Sequence, residues 1–275
     1  MLRDRFGDSI DIHVGGGDLV FPHHENEIAQ SEAATGKSLA RYWMHNGMVN
    51  VGGVKMSKSL GNFTTIRQLL DEGGVDPMVL RLFILQAQYR KPMDFTNEAI
   101  ASATNGWDTL KEGLLFGYKH GKALGWTDTE DESFGDPAAM RITDDSDAVK
   151  GFQTSMDDDF NTPGAIAILF DLAKELRRAG NLIVHEGSAD RESDALRQDW
   201  QTLVVLAEVL GLQTSSEATT ETQNLDDTTI ENLIQQRIEA RKAKNYAEGD
   251  RIRDELKAQG IVLIDKPGGT DWHRE

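Results

Sequence analysis

Pro22-His23-His24-Glu25-Asn26-Glu27 gathers two imidazoles and two carboxylates into six residues. Proline suits the first turn of a helix, where a missing N–H costs nothing. Helical geometry from there on stacks His23 over Glu27, at i and i+4, while His24 and Glu25 point elsewhere. Imidazole nitrogen and carboxylate oxygen are both zinc ligands, so His23 and Glu27 can reach one metal ion. Two ligands do not close a tetrahedral site. A polar helix start, with acids at the positive end of the helix dipole, is the plainer alternative.

Upstream, His13-Val14-Gly15-Gly16-Gly17-Asp18 reads as a strand end running into a glycine turn. Three glycines let backbone approach a ligand closely, and Asp18 is a carboxylate able to hold an ammonium group. A plain turn that favours Asp for local hydrogen bonds explains the same residues.

Gly52-Gly53-Val54-Lys55-Met56-Ser57-Lys58-Ser59-Leu60-Gly61-Asn62 sets two lysines three apart, with Ser57 and Ser59 beside them and glycines on both sides. Such a basic loop can close over a polyphosphate and supply positive charge as pyrophosphate departs. It is not a Walker A loop, whose G-x-x-x-x-G-K-[ST] spacing is missing. Near the other end, Arg237, Arg241 and Lys244 share one helical stripe, followed by Tyr246, Asp250, Arg253 and Trp272. Basic groups with interleaved aromatics suit single-stranded nucleotides that stack; a salt-bridged solvent face suits them too. Asp157-Asp158-Asp159-Phe160-Asn161-Thr162-Pro163 reads as a helix start, with Asn161 or Thr162 as cap and Pro163 at the first turn.

These motifs need elements to hold them. Ser9–His13 and Gly47–Val51 alternate like strands, whereas later apolar residues mostly recur at helical spacing. Gly164–Ala173 has the pattern of a helix buried on much of its surface, and Leu203–Leu210 stops at Gly211. Residues 229–259 read as two helices, followed by a strand at 261–264. Breaks after Gly61-Asn62, at Thr127–Asp136 and at Gln213–Asp227 divide the chain. The expected pieces are 1–60, 61–125, 126–215, a linker at 216–228, and 229–275.

The chain has 275 residues, no cysteine and a net charge of −17. No cysteine means no disulfide, thiolate ligand or cysteine nucleophile within it. No apolar run is long enough to span a membrane, and no apolar stretch at the N-terminus suggests a secretory signal, so a cytoplasmic location is expected. The negative charge argues against non-specific coating of nucleic acid. It sits almost wholly in 126–228, with net −16, whereas 1–125 carries net −1 and 229–275 net 0. Either end can therefore still present a basic face.

Taken together, Asp11-Ile12-His13, Asp18 through Glu27 and Lys55-Met56-Ser57-Lys58-Ser59 resemble the cysteinyl-tRNA synthetase family of class I aminoacyl-tRNA synthetases. The resemblance continues through Asp157–Pro163 to Gly269-Thr270-Asp271-Trp272 and covers essentially the whole chain. It implies a multidomain, predominantly α chain. The C-terminal half of a Rossmann-like α/β catalytic domain comes first, then a helical bundle and a small α/β anticodon-binding module.

The same resemblance implies activation of cysteine by ATP, with magnesium, to cysteinyl-adenylate, and transfer to tRNA-Cys. It makes His23 and Glu27 two of four ligands to a zinc that selects the substrate thiolate. Asp18 would hold the substrate ammonium, with His13 lining the pocket. Lys58 would bind ATP phosphates beside Ser57 and Ser59, and Lys55 would help to close the loop. Arg237, Arg241, Tyr246, Asp250 and Trp272 fall in the anticodon-binding region. The family's two zinc cysteines and its His-Ile-Gly-His-type ATP motif are missing. An incomplete zinc site, a chain inactive by itself and self-association through an exposed half-domain are therefore expected. Two other readings remain: a non-catalytic tRNA-binding or interaction protein, and the ligase that joins cysteine to an amino sugar in mycothiol synthesis. Residues 225–275 argue against the second, which lacks an anticodon module.

Overall fold

A computed structural model describes residues 2–131, 133–214, 227–242, 245–258, 261–266 and 269–274. Most of the expected linker, together with Lys244, lies outside the described residues. The chain divides into two compact units, Met1–Gln213 and Thr214–Glu275.

The first unit opens with α1 (Leu2–Phe6), β1 (Ile10–Gly16), α2 (Glu25–Thr35) and β2 (Ala40–Asn46). β1 and β2 pair in parallel, from Ile10 opposite Ala40 to Gly16 opposite Asn46. Parallel neighbours need a crossover, which the segment through α2 supplies. Side chains alternate across the pleat. His13, Trp43 and His45 therefore share the face on which His24 packs. Ile12, Val14 and Tyr42 lie on the other face and are 54%, 52% and 62% exposed.

A three-stranded sheet follows, with β3 (Val49–Val51) between β4 (Val54–Lys55) and β5 (Met93–Asp94). β3–β4 is an antiparallel hairpin around Gly52-Gly53, and β5 joins β3 in parallel. Both turn glycines have positive φ, +59° and +77°, which L side chains adopt only with strain. The alternation at 47–51 is strand only from Val49, because Gly47 is held elsewhere: its N–H donates to Tyr89 O at 2.7 Å.

The rest of the unit is helical: α3 (Pro77–Leu85), α4 (Asn97–Leu114), α5 (Phe116–His120), α6 (Asp147–Asp157), α7 (Thr162–Glu186) and α8 (Ser193–Val209). On α7, Ala165, Ile166, Leu169, Ala173, Leu176 and Ala179 are buried, the i, i+3, i+4 stripe of a core helix. Asn161 is the cap, accepting from Gly164 N–H at 3.1 Å. α8 ends at Val209, just before Gly211 at φ +65°. The core joins Leu82 of α3, Trp107 and Leu110 of α4, Leu169 and Leu176 of α7, and Trp200 and Leu203 of α8. The Trp200 indole N–H donates to Leu114 O at 2.8 Å, so its one polar atom is satisfied. Asp76 caps α3 on Met78 N–H and accepts the Trp107 indole at 3.1 Å, tying α3 to α4.

The second unit is α9 (Asp227–Lys242), α10 (Tyr246–Ala258) and an antiparallel pair, β6 (Ile261–Lys266) and β7 (Gly269–Arg274). Ile230, Ile234, Ile252, Leu256 and Ile261 form its own small core.

Candidate functional site

Parallel β-strands offer ligands the crevice beyond their carboxyl ends. β1 delivers His13 and the three glycines to that end, and β2 delivers His45, paired with Gly15. A Cβ on Gly15 would lie 2.5 Å from His24 Cε1. The close approach that this glycine permits is thus that of His24, whose ring lies over the strand end.

The chain between Gly17 and α2 is a pair of helical turns interrupted at Phe21, whose φ of −133° and ψ of 134° are extended. After this break, His24 turns inward and is 4% exposed. It differs in this from the sequence expectation, because α2's inner face is set by the strands beneath it and not by Glu27 alone. Glu27 Oε2 accepts from His13 Nε2 across 2.8 Å. His23 Nε2 stands 3.7 Å from Glu27 Oε1, and His24 Nε2 stands 4.0 Å from Oε2. Ligand atoms of His13, His24 and Glu27 all lie within 4.8 Å of one another, whereas the His23 side chain is 59% exposed.

His24 Nδ1 and His45 Nε2 are 2.8 Å apart, so one nitrogen must donate and the other accept. Burial, and then the neighbouring imidazoles of His13 and His45, push the His24 pKa down and keep it neutral. A neutral imidazole is the form that binds a metal. Donors at about 2.0–2.1 Å on a tetrahedral zinc stand about 3.4 Å apart, so these groups would close by up to about 1.5 Å to seat an ion. Two imidazoles with a carboxylate are an ordinary zinc donor set. The residues present fit the metal. Trp43, 4.6 Å from the His13 ring edge-on and 5.1 Å from His24, walls the cluster with an apolar face.

Asp18 lies in the turn after β1 and is bridged by Lys55, whose Nζ is 3.0 Å from Asp18 Oδ2. That hydrogen bond is the main reason the Asp18 carboxyl is held below the ordinary carboxylate range. Lys55 ends β4, and Lys58 lies in the turn Lys58–Leu60 with its ammonium 5.6 Å over the Phe63 ring. Ser57 and Ser59 hydroxyls are 3.1 Å apart. Asn62 clasps the loop, accepting from Ser57 N–H at 2.9 Å and donating to Lys55 O at 3.2 Å. Asp94 holds the hairpin turn by accepting from Gly53 N–H at 2.9 Å.

Sequence reasoning missed His24, His45, Trp43, Asn62 and Asp94 as parts of this arrangement. The His23-His24 doublet and the Trp43–His45 alternation were visible signals, but only strand register says which imidazole meets which.

In the second unit, Arg237 is 5% exposed, with Nη1 3.5 Å from Thr270 Oγ1. Arg241 is exposed, its stem lying over Gly249. Four helical residues turn about 400°, so the expected stripe is offset by about 40° per step. That offset puts Arg237 at the seam with β7 and leaves Arg241 at the surface. Asp250 is exposed, 3.4 Å from Arg253 Nη1, and Tyr246 opens α10. Trp272 packs partly on the core and lines a cavity of about 340 Å³ with Glu231, Ile234, Gln235 and Thr270.

Among known families, residues 1–105 match the tRNA synthetases class I (C) catalytic domain, 151–214 the DALR domain and 227–272 the cysteinyl-tRNA ligase anticodon binding domain. A cysteine–tRNA ligase of Synechococcus elongatus is 62% identical over 275 residues, covering all of this chain and 55% of that protein. One from a Cyanothece species is 61% identical over 277 residues, covering all of this chain and 56% of that protein. The chain thus spans about half the length of the curated relatives it matches. Among solved structures, methionyl-tRNA synthetase of Mycobacterium tuberculosis bound by methionyl-adenylate aligns at TM-score 0.42 and 18% identity, over 73% of this chain and 41% of that one. With all three domain matches in order and near 60% identity along its whole length, the chain is similar throughout to about half of a cysteine–tRNA ligase.

Proposed function

We propose that the chain serves cysteine–tRNA ligation: cysteine and ATP form cysteinyl-adenylate and pyrophosphate, and the cysteinyl group then passes to tRNA-Cys. The observation that carries this reading is the Lys55–Asp18 contact at 3.0 Å, which joins the lysine loop to the strand-end turn beside the imidazole cluster. Asp18 holds the substrate ammonium and His13 lines the same pocket. The substrate carboxylate attacks the α-phosphorus of magnesium-bound ATP, and pyrophosphate leaves with the electron pair of the broken P–O bond. Lys58, with the Ser57 and Ser59 hydroxyls, binds the phosphates, and Lys55 moves from Asp18 toward the departing charge as the loop closes.

Glu27 is the common point of the metal site, with His13, His23 and His24 around it; the family pattern favours His23, the tighter packing His24. Zinc, when bound there, prefers a thiolate to a hydroxyl and so separates cysteine from serine. The protein's own share is to favour the neutral form of His24 by burial, to orient it against His45 and to wall the cluster with Trp43.

Arg241, Asp250, Tyr246 and Trp272 are proposed to contact tRNA, with Arg237 bracing β7 from within. The mycothiol-type reading has no use for 227–272. Charging of tRNA places the work in the cytoplasm.

tRNA binding and cysteine-dependent ATP–pyrophosphate exchange, run on one preparation with zinc supplied, test the proposal. Expected are tighter binding of tRNA-Cys than of a non-cognate tRNA, and no exchange above background by this chain alone. Equal affinity for both tRNAs rejects the assignment. Exchange by the chain alone rejects the view that its phosphate cradle is incomplete.

A further inference from the structure

The turn between α6 and α7 holds a backbone conformation that its residues do not favour. Asp159 and Phe160 have φ of +51° and +54°, and neither is glycine. Turns that end helices in this way usually employ glycine, which has no Cβ to clash. Local hydrogen bonds shape the turn: Phe160 N–H donates to Met156 O at 3.1 Å and Asn161 N–H to Ser155 O at 3.1 Å. Glycine at 159 would satisfy those bonds equally well. What glycine lacks is the carboxylate.

That carboxylate is fully engaged. Asp159 Oδ2 accepts from Arg90 Nε at 2.5 Å, and Oδ1 accepts from Arg90 Nη2 at 3.0 Å and from the Tyr89 hydroxyl at 2.8 Å. The fork pairing fixes direction as well as distance. Thr162 adds a bond from its hydroxyl to Leu85 O at 2.7 Å. The bonds of Tyr89–Arg90 lead on to the lysine loop. Tyr89 O accepts Gly47 N–H at 2.7 Å, and a Cβ on Gly47 would lie 2.1 Å from Lys91 O, so backbone meets backbone there. Met93 N–H donates to Met48 O at 3.0 Å and Phe95 N–H to Asn50 O at 2.7 Å, seating β5 on β3. Asp94 then holds Gly53 N–H, and Met56 N–H closes on Val49 O at 2.9 Å.

We infer that Asp159 is a positioning residue for the lysine loop: its carboxylate anchors Tyr89–Arg90 to the helical bundle, and through Gly47 and β5 sets where β3 presents Lys55 and Lys58. Strained backbone persists where the surroundings require it, and here the requirement is this side chain. The position of the loop stands on the contacts above; what the loop does there rests on the ATP reading already given.

Amide hydrogen exchange of the full chain, read on peptides spanning 47–62 beside thermal unfolding, tests this. Asp159→Gly relieves the backbone and removes the anchor. Exchange at 47–58 is expected to rise about ten-fold or more while Tm stays level or rises. Asp159→Asn, which tolerates the left-handed region but keeps only one accepting oxygen and sets an amide NH2 against Arg90, is expected to fall between D159G and the unaltered chain in exchange at 47–58. Arg90→Ala cuts the same pair from an exposed side chain and should loosen the same peptides. Unchanged exchange at 47–58 in D159G and R90A overturns the inference, as does a rise spread evenly over the bundle with a lower Tm. The proposed function is decided separately by the tRNA comparison above: equal affinity for both tRNAs sinks it and leaves the positioning result standing.

Discussion

Lys55 and Asp18, 37 residues apart in sequence, meet as an ammonium and a carboxylate 3.0 Å apart. Each belongs to a different motif, and their pairing joins the lysine loop to the turn after β1. With half of each side chain exposed, the bond is a weak clasp that a competing ammonium can replace.

The Asp18 carboxyl is held down chiefly by that hydrogen bond, so its contribution to stability is present above the ordinary carboxylate pKa and is lost as pH falls through the lowered one. Lys55→Gln should raise the Asp18 pKa toward 3.8. A carbon-13 NMR titration of the side-chain carboxyl reads it directly, and added salt should move the unaltered chain the same way. An Asp18 titration identical in K55Q would mean that the pair does not persist in solution.

Glu27 is within reach of three imidazoles, His13, His23 and His24. Glu27→Gln keeps the volume and removes the charge. Zinc affinity, measured by equilibrium dialysis, should fall about ten-fold or more, the scale of losing a ligand or its partner. Gly15→Ala should also weaken zinc, because the new methyl would displace the His24 ring from 2.5 Å. Equal zinc affinity in all three proteins would exclude this cluster as the metal site.

His120 packs against Phe116, and burial, with a smaller push from Lys119, lowers its pKa. The unfolded chain takes up a proton below about pH 6.5 that the folded chain resists, so stability is full above that pH and declines beneath it. Melting curves between about pH 7.5 and 5.5 should show the decline, and His120→Gln should flatten it. A parallel slope in the variant would assign the decline to other groups.

Trp200 is 1% exposed and stacks on Phe134 at 4.9 Å. Trp200→Ala should cost about 3–5 kcal/mol in urea unfolding, combining the cavity with the stranded carbonyl of Leu114. A loss under about 1 kcal/mol would mean that the bundle core collapses around the gap.

Local patterns were legible where one side chain or one period decided them. The Asn161–Pro163 helix start, the strand at Ile10 and the two helices before β6 all follow from caps and alternation. The imidazole cluster was legible only in part. Spacing paired His23 with Glu27, yet the groups that converge are His13, His24 and Glu27. Periodicity along one helix cannot know what the neighbouring strand presents. Arg237 and Arg241 make the same point, since four residues apart one is buried and the other exposed.

By itself, the sequence determined the donors available and their local geometry: imidazoles and carboxylates at the start of α2, two lysines in a glycine-bounded hairpin, and no thiol anywhere. These depend on composition and on backbone preferences that act over a few residues. Only the tertiary structure decided that His24 is the buried imidazole, that Lys55 rests on Asp18, and that Asp159 grips Tyr89 and Arg90. Each of these joins residues distant in the chain, and their meeting depends on strand register and helix packing, which no short stretch of sequence contains.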